Sequence, residues 1–179
     1  MIDDIEVKLF KVLRTVVMRA TGVKECILAD QNAPAPKGDY ATIRINDRAK
    51  EIVRPQSDYS VINPRDANSM LRFEMKTSLL ADVHVNFYRD GAFSKASKLM
   101  GCTRIPSIAD IITRSELGIM RIGSAINTTA LQSDRTEERA TIQLDVAFER
   151  IYTEEIAPIN SVAISVETED GKNLSANHN

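Results

Sequence analysis

Residues 139–152 alternate apolar and polar with a period of two. Ala140, Ile142, Leu144, Val146 and Phe148 fall on one side, and Thr141, Gln143, Asp145 and Glu149 on the other. Successive side chains of an extended chain point to opposite faces, so this stretch predicts a strand with one face buried and one wet. Such a strand needs antiparallel neighbours and a layer of other structure over its apolar face.

The rest of the chain supplies both. Tyr40, Thr42, Arg44 and Asn46 alternate with Ala41, Ile43 and Ile45, and Val83, Val85 and Phe87 alternate with Asp82, His84, Asn86 and Tyr88. These predict strands over 40–46 and 81–88, the second ended by Arg89-Asp90-Gly91. A separate strand is expected over 69–79, and shorter ones over 23–29, 118–126 and 159–166. Residues 50–59 are weaker, since Pro55 marks an edge or a bend. Loops are expected at 63–68 and 131–137.

Ile5, Leu9, Val12, Leu13, Val16 and Val17 recur at three-to-four spacing, which predicts an amphipathic helix over 3–21, stopped by Gly22. Short helices are expected over 92–100, closed by Gly101, and from Pro106 onward. Between the first two strands, the run 30–39 holds Pro34 and Pro36, whose fixed φ and missing N–H groups demand an extended loop. The reading is an α+β chain: a mostly antiparallel sheet with an N-terminal helix and one or two short helices on one face. It forms a single domain over 1–166, followed by a polar tail, 167–179, expected to be disordered.

Composition removes several functions. The formal net charge is −2 and the aromatic content 5%, with no Trp. There is thus no basic surplus for phosphate backbones and no evident platform for stacking bases. The apolar runs fall short of the roughly 20 residues that cross a bilayer. Met1-Ile2-Asp3-Asp4 is acidic where a signal peptide is basic. The expectation is a protein made in the cytosol that stays there or leaves inside a larger particle. Cys26 and Cys102 are far apart and predict two reduced, buried thiols.

No nucleotide, metal or nucleophile motif is present, so neither cofactor nor catalytic residue is expected. His84 reads as a solvated strand residue, and His178 lies in the tail. Glu137, Glu138 and Arg139 form a charged cluster just before the best strand. Adjacent residues of an extended chain point to opposite sides, so the two carboxylates read as charge partners, not as an acid–base pair. The candidate partners are Arg135, Arg139 or a neighbouring chain. Glu154-Glu155 reads the same way. Arg44, Arg48, Lys50 and Arg54 place four cations in one region, either a solvated face or one that meets acidic subunits or passing DNA.

Two segments carry a resemblance. The run Ala29-Asp30-Gln31-Asn32-Ala33-Pro34-Ala35-Pro36 followed by Tyr40-Ala41-Thr42-Ile43-Arg44-Ile45, and Glu137-Glu138-Arg139-Ala140-Thr141-Ile142, resemble the phage neck or tail-terminator family. Leu28 stands where that family often has an aromatic, and Asp39 where it often has proline. The resemblance spans roughly residues 3–166. It implies a non-enzymatic virion protein of a contractile-tailed phage, an α+β subunit that forms a hexameric ring. The ring would cap the tail tube, stop its growth and join the tail to neck and head. The implied partners are further copies of the chain, tube and sheath subunits, head-completion proteins, and genomic DNA passing through the lumen without sequence-specific binding. No membrane partner is expected. The interface candidates are Asn32, Pro34, Pro36, Arg44, Arg48, Glu137, Glu138 and Arg139. Other readings are a collar or head-completion protein at another level of the neck, an enzyme whose carboxylates meet only on folding, and a small nucleic-acid-binding module.

Overall fold

The computed structural model describes residues 4–32, 34–46, 50–51, 59–62, 71–132, 135–156, 162–167 and 173–178. Helix α1 (Asp4–Thr21) forms where the apolar spacing predicts it. It stops at Gly22, whose φ of +76° suits a residue without a Cβ and whose N–H donates to Met18 O at 2.9 Å. Strands β1 (Glu25–Leu28) and β2 (Tyr40–Ile45) follow, then the short β3 (Lys50–Glu51) and β4 (Tyr59–Ile62). Next come β5 (Leu71–Tyr88), helix α2 (Ala92–Leu99), a 3-10 turn at Cys102–Arg104 and helix α3 (Pro106–Arg114). The remaining strands are β6 (Gly118–Ile122), β7 (Ile126–Asn127), β8 (Ala130–Gln132), β9 (Arg135–Glu137), β10 (Arg139–Ile156), β11 (Val162–Glu167) and β12 (Asn173–His178).

The fold class is the expected one, α+β with a mostly antiparallel sheet. The main sheet runs β1-β2-β5-β10-β6, with β3 and β4 also on β5 and β7 also on β10. Among the described residues only β1 and β2 pair in parallel, while β2 pairs antiparallel to β5 with Tyr40 opposite Tyr88 and Ile45 opposite Val83. Apolar residues of one sheet face meet the helices. Ile43, Val83, Val85, Phe87, Ile142 and Leu144 join Leu9, Leu13, Val16 and Val17 of α1, Leu99 of α2 and Ile108 of α3 in one buried cluster. Cys26 and Cys102 lie in the same core, unbridged. Burial pushes the Cys26 thiol up to about 12, which makes it a poor nucleophile.

Several elements differ from the sequence reading. The two strands expected over 69–79 and 81–88 are one, β5. Their apolar positions, Leu71, Phe73, Met75, Val83, Val85 and Phe87, keep the same parity, and no Gly or Pro interrupts them. The expected loop at 131–137 is a hairpin, with Leu131 opposite Thr136. The expected strand 118–126 breaks into β6 and β7 around Gly123, where a Cβ would meet Gln143 O at 3.2 Å. The loop at 63–68 lies outside the described residues.

The chain divides into two compact units. One compact unit comprises Met1–Pro55 and Thr77–Arg150; the other comprises Gln56–Lys76 and Ile151–Asn179. In the second, β4 pairs with the start of β5, and β11 pairs along its length with β12, which lies in the expected tail. These segments find their partners among themselves.

Candidate functional site

The sheet face away from the helices is polar, and its most organised part lies where β2 begins, β5 ends and β10 begins. Tyr40 and Tyr88 are direct cross-strand partners, and their rings stack with centroids 4.6 Å apart and planes 7° apart. The Arg89 guanidinium lies 5.3 Å from the Tyr40 centroid and that of Arg139 5.5 Å from the Tyr88 centroid. The result is a four-layer stack of cation, ring, ring and cation. Tyr40 is thereby 8% exposed, although alternation puts it on the wet face. Burial, above all, raises its hydroxyl pKa.

Glu137 closes the stack. Its Oε2 accepts from Arg139 Nη2 at 2.6 Å and from Arg139 Nε at 2.8 Å, and its Oε1 lies 3.6 Å from Arg89 Nε. One carboxylate therefore serves both cations. Glu138 points the other way, as neighbours on an extended chain must. It accepts from the backbone N–H groups of Gly91 at 2.9 Å and Phe93 at 3.3 Å. It thus caps α2, whose own N-cap residue, Gly91, has no side chain to do so.

Arg89 is the hub. Its backbone sits at φ +67°, and its N–H donates to Glu138 O at 2.7 Å. Its Nη1 donates to Pro36 O and, at 2.6 Å, to Gly38 O, which ties down the end of the proline loop. Beside it Lys95 pairs with Asp39 at 3.0 Å and donates to Asp90 O. The hydrogen bond from Lys95 holds the Asp39 carboxyl below the usual carboxylate range. A cleft of about 410 Å³ lies among Lys37, Asp39, Arg89, Thr136, Glu137 and Glu138. Three of the four acids that line it are engaged, Asp39 with Lys95, Glu137 with the two arginines and Glu138 with α2, and Asp90 also lines it. This arrangement fixes loops. It offers no nucleophile with a base beside it.

The structure thus joins Pro36, Glu137, Glu138 and Arg139, which the sequence marked, and adds Arg89, Tyr40 and Tyr88. The sequence signal for Arg89 is weak. It stands in a turn tripeptide, Arg89-Asp90-Gly91, that reads only as the end of a strand. The other candidates lie apart. Asn32 and Pro34 are exposed, and Arg44 is exposed and pairs with Asp30 at 2.6 Å. Arg48 and Arg54 lie outside the described residues. His84, half-exposed, sits 3.5 Å from Asp82, which also accepts from Gln143 at 2.8 Å and Asn46 at 3.3 Å. Among the described residues no cluster of three metal-capable side chains occurs, and no helix is long and apolar enough to cross a membrane.

Residues 7–172 match the phage neck terminator protein family. The chain belongs to that family. The match takes in residues of both compact units. No curated relative matches the chain. A phage neck terminator protein is a structural component of the virion and not an enzyme. Its neck position implies contact with other head or tail components. In a neck protein the stack around Arg89 has a structural task, to hold the proline loop, the start of β10 and the start of α2 in one fixed arrangement.

Proposed function

We propose that this neck protein assembles as a hexameric ring on the tail tube of a contractile-tailed phage, ends tube growth and joins the tail to the head-completion proteins above. Sheath subunits would meet its rim, and genomic DNA would pass through its lumen without sequence-specific contacts. The observation that carries this reading is the family match over nearly the whole chain. The sheet supports it, because among the described residues β1 and β6 end it with edges that no other strand of the main sheet covers, and edges of this kind are commonly paired or shielded by a neighbour. Sedimentation of the purified chain, alone and with tail tubes, should give a species near six times 19.9 kDa. Negative-stain micrographs should show annuli. A species that stays monomeric under both conditions overturns the ring.

The proline loop is the second part of the proposal. Asn32 and Pro34 project while Arg89 holds Pro36 and Gly38 from behind, so the loop is a stiff, presented segment that meets a neighbouring copy or the tube. Stiffness lowers the entropy lost on docking. Replacing Pro34 and Pro36 together by glycine should cost about 1 kcal/mol of stability per site at most, while ring yield or tube binding falls clearly. A double variant that unfolds, or one that assembles like the parent, contradicts this role.

A further inference from the structure

Two exposed surfaces of the chain carry opposite charge, each with apolar side chains among the charges. The first is the outer face of α2 and the turn after it. Ala92, Ala96 and Leu99 turn α2 toward the core, so Phe93, Lys98 and the C-cap residue Met100 face outward. The 3-10 turn follows at once, with Ile105 N–H donating to Cys102 O at 3.0 Å, and it adds exposed Arg104 and Ile105. Phe93, Met100 and Ile105 are three of the large apolar side chains left exposed. No Asp or Glu occurs from Ala92 to Ala109. Asp110, the next acid along the chain, pairs with Arg114 at 2.9 Å, and Glu138 is held at the other end of α2. Lys98 and Arg104 make no ion pair or hydrogen bond among the described residues. The second surface is the end of β10. Residues 151–155 are exposed on both faces of the strand. They present Ile151 and Tyr152 together with Glu154 and Glu155, and no cation. Neither carboxylate has a partner among the described residues.

We propose that the end of β10 of one copy lies on the outer face of α2 of the next copy, with Glu154 and Glu155 against Lys98 and Arg104. This deepens the ring reading and rests on it. Charge complementarity selects the occupant. One surface offers two unpaired cations among apolar side chains, and the other offers two unpaired carboxylates among apolar side chains, so each supplies what the other lacks. Like surfaces cannot meet, because cations would then face cations and acids face acids. The contact is therefore between two different patches and runs head-to-tail. Such a contact repeats from copy to copy and closes into a ring when the rotation allows. Every copy brings one patch of each kind, so a closed ring leaves neither kind uncovered. Both surfaces stand exposed on the single chain, which thus does not cover them itself. Burial of Ile151 and Tyr152 against Phe93, Met100 and Ile105 gives the contact its driving force, and the charges set its partner and direction. The thioether of Met100 adapts readily to such a neighbour.

The test reverses one patch at a time. The variants Lys98→Glu/Arg104→Glu and Glu154→Lys/Glu155→Lys change exposed side chains only, so each should melt close to the parent. Alone, each should lower ring yield about tenfold or more in sedimentation, because like charges now meet at the contact. An equimolar mixture of the two should restore rings in which the variants alternate, since each reversed patch then meets its reversed counterpart. Normal rings from either variant alone, or no rings from the mixture of two folded variants, overturn this contact and leave the ring standing. Rings from a chain carrying all four reversals, but not from the mixture, would place the contact within one copy and overturn it as well. A reversal that lowers the melting temperature is replaced by Arg104→Gln or Glu155→Gln, each expected to reduce ring yield, and parental yield from both overturns the contact. A parent chain that stays monomeric, alone and with tail tubes, overturns contact and ring together.

Discussion

Arg89→Ala is expected to lower stability by about 2–3 kcal/mol, because hydrogen bonds and ion pairs of a charged group that is two-thirds shielded are each worth more than neutral ones. The side chain is one-third exposed, which keeps the figure below that of a fully buried ion. Its guanidinium donates to Pro36 and Gly38, faces Tyr40 and borders Glu137. Truncation leaves two loop carbonyls without this donor and uncovers one face of the tyrosine stack. The corresponding fall in melting temperature is roughly 5–10 °C for a chain of this size, followed by circular dichroism. Two further substitutions separate side chain from backbone. Arg89 sits at φ +67°, where any side chain with a Cβ is strained. Arg89→Gly therefore loses the same contacts but should recover about 1 kcal/mol relative to Arg89→Ala. Arg89→Lys keeps the charge but lacks the planar fork that reaches two carbonyls and a ring together, and should fall between Ala and the parent. If Arg89→Ala melts with the parent, the hub is not what fixes the loop.

The fold was legible wherever one local rule governed a segment. Helix α1 followed from its apolar spacing, and Gly22 stopped it because the next residue had to take a positive φ. Strands β2 and β10 followed from parity. The sequence reading ended one strand at Leu79 and began another at Ala81, although parity continued through that point. The β8–β9 hairpin escaped because its strands are three residues each and mostly polar, so no alternation marks them; only the pairing of Ala130, Leu131 and Gln132 with Glu137, Thr136 and Arg135 makes them strands. For the site, the cluster at 137–139 was visible as charge, and the opposite directions of Glu137 and Glu138 followed from extended geometry. The partners were not visible. Arg89, Tyr40 and Tyr88 come from distant segments, and only the β2–β5 register sets the two rings face to face. A cap supplied from another strand, as Glu138 does for α2, likewise has no local signature.

Glu137→Ala should cost more than Arg139→Ala, about 2 against about 1 kcal/mol, and the reason is an asymmetry in the network. Glu137 is one carboxylate shared by two guanidinium groups, and it is 19% exposed. Removing it strips Arg139 of two hydrogen bonds at 2.8 and 2.6 Å and takes from Arg89 the carboxylate that lies 3.6 Å from its Nε. Removing Arg139 instead leaves Glu137 with Arg89, so no carboxylate is stranded. The double variant Glu137→Ala/Arg139→Ala should then cost less than the sum of the singles, with a coupling of about 1 kcal/mol in chemical denaturation. Additive losses would mean that the two side chains do not act as a pair. The same series decides whether Arg139 serves the fold or the assembly. Loss of stability with rings still forming at temperatures where the variant is folded makes it part of the stack. Unchanged melting with lost rings would assign its charge to a neighbouring copy, where truncation of a desolvated partner costs about 2–5 kcal/mol of assembly energy. The close pairing with Glu137 and the contact with Tyr88 favour the first outcome.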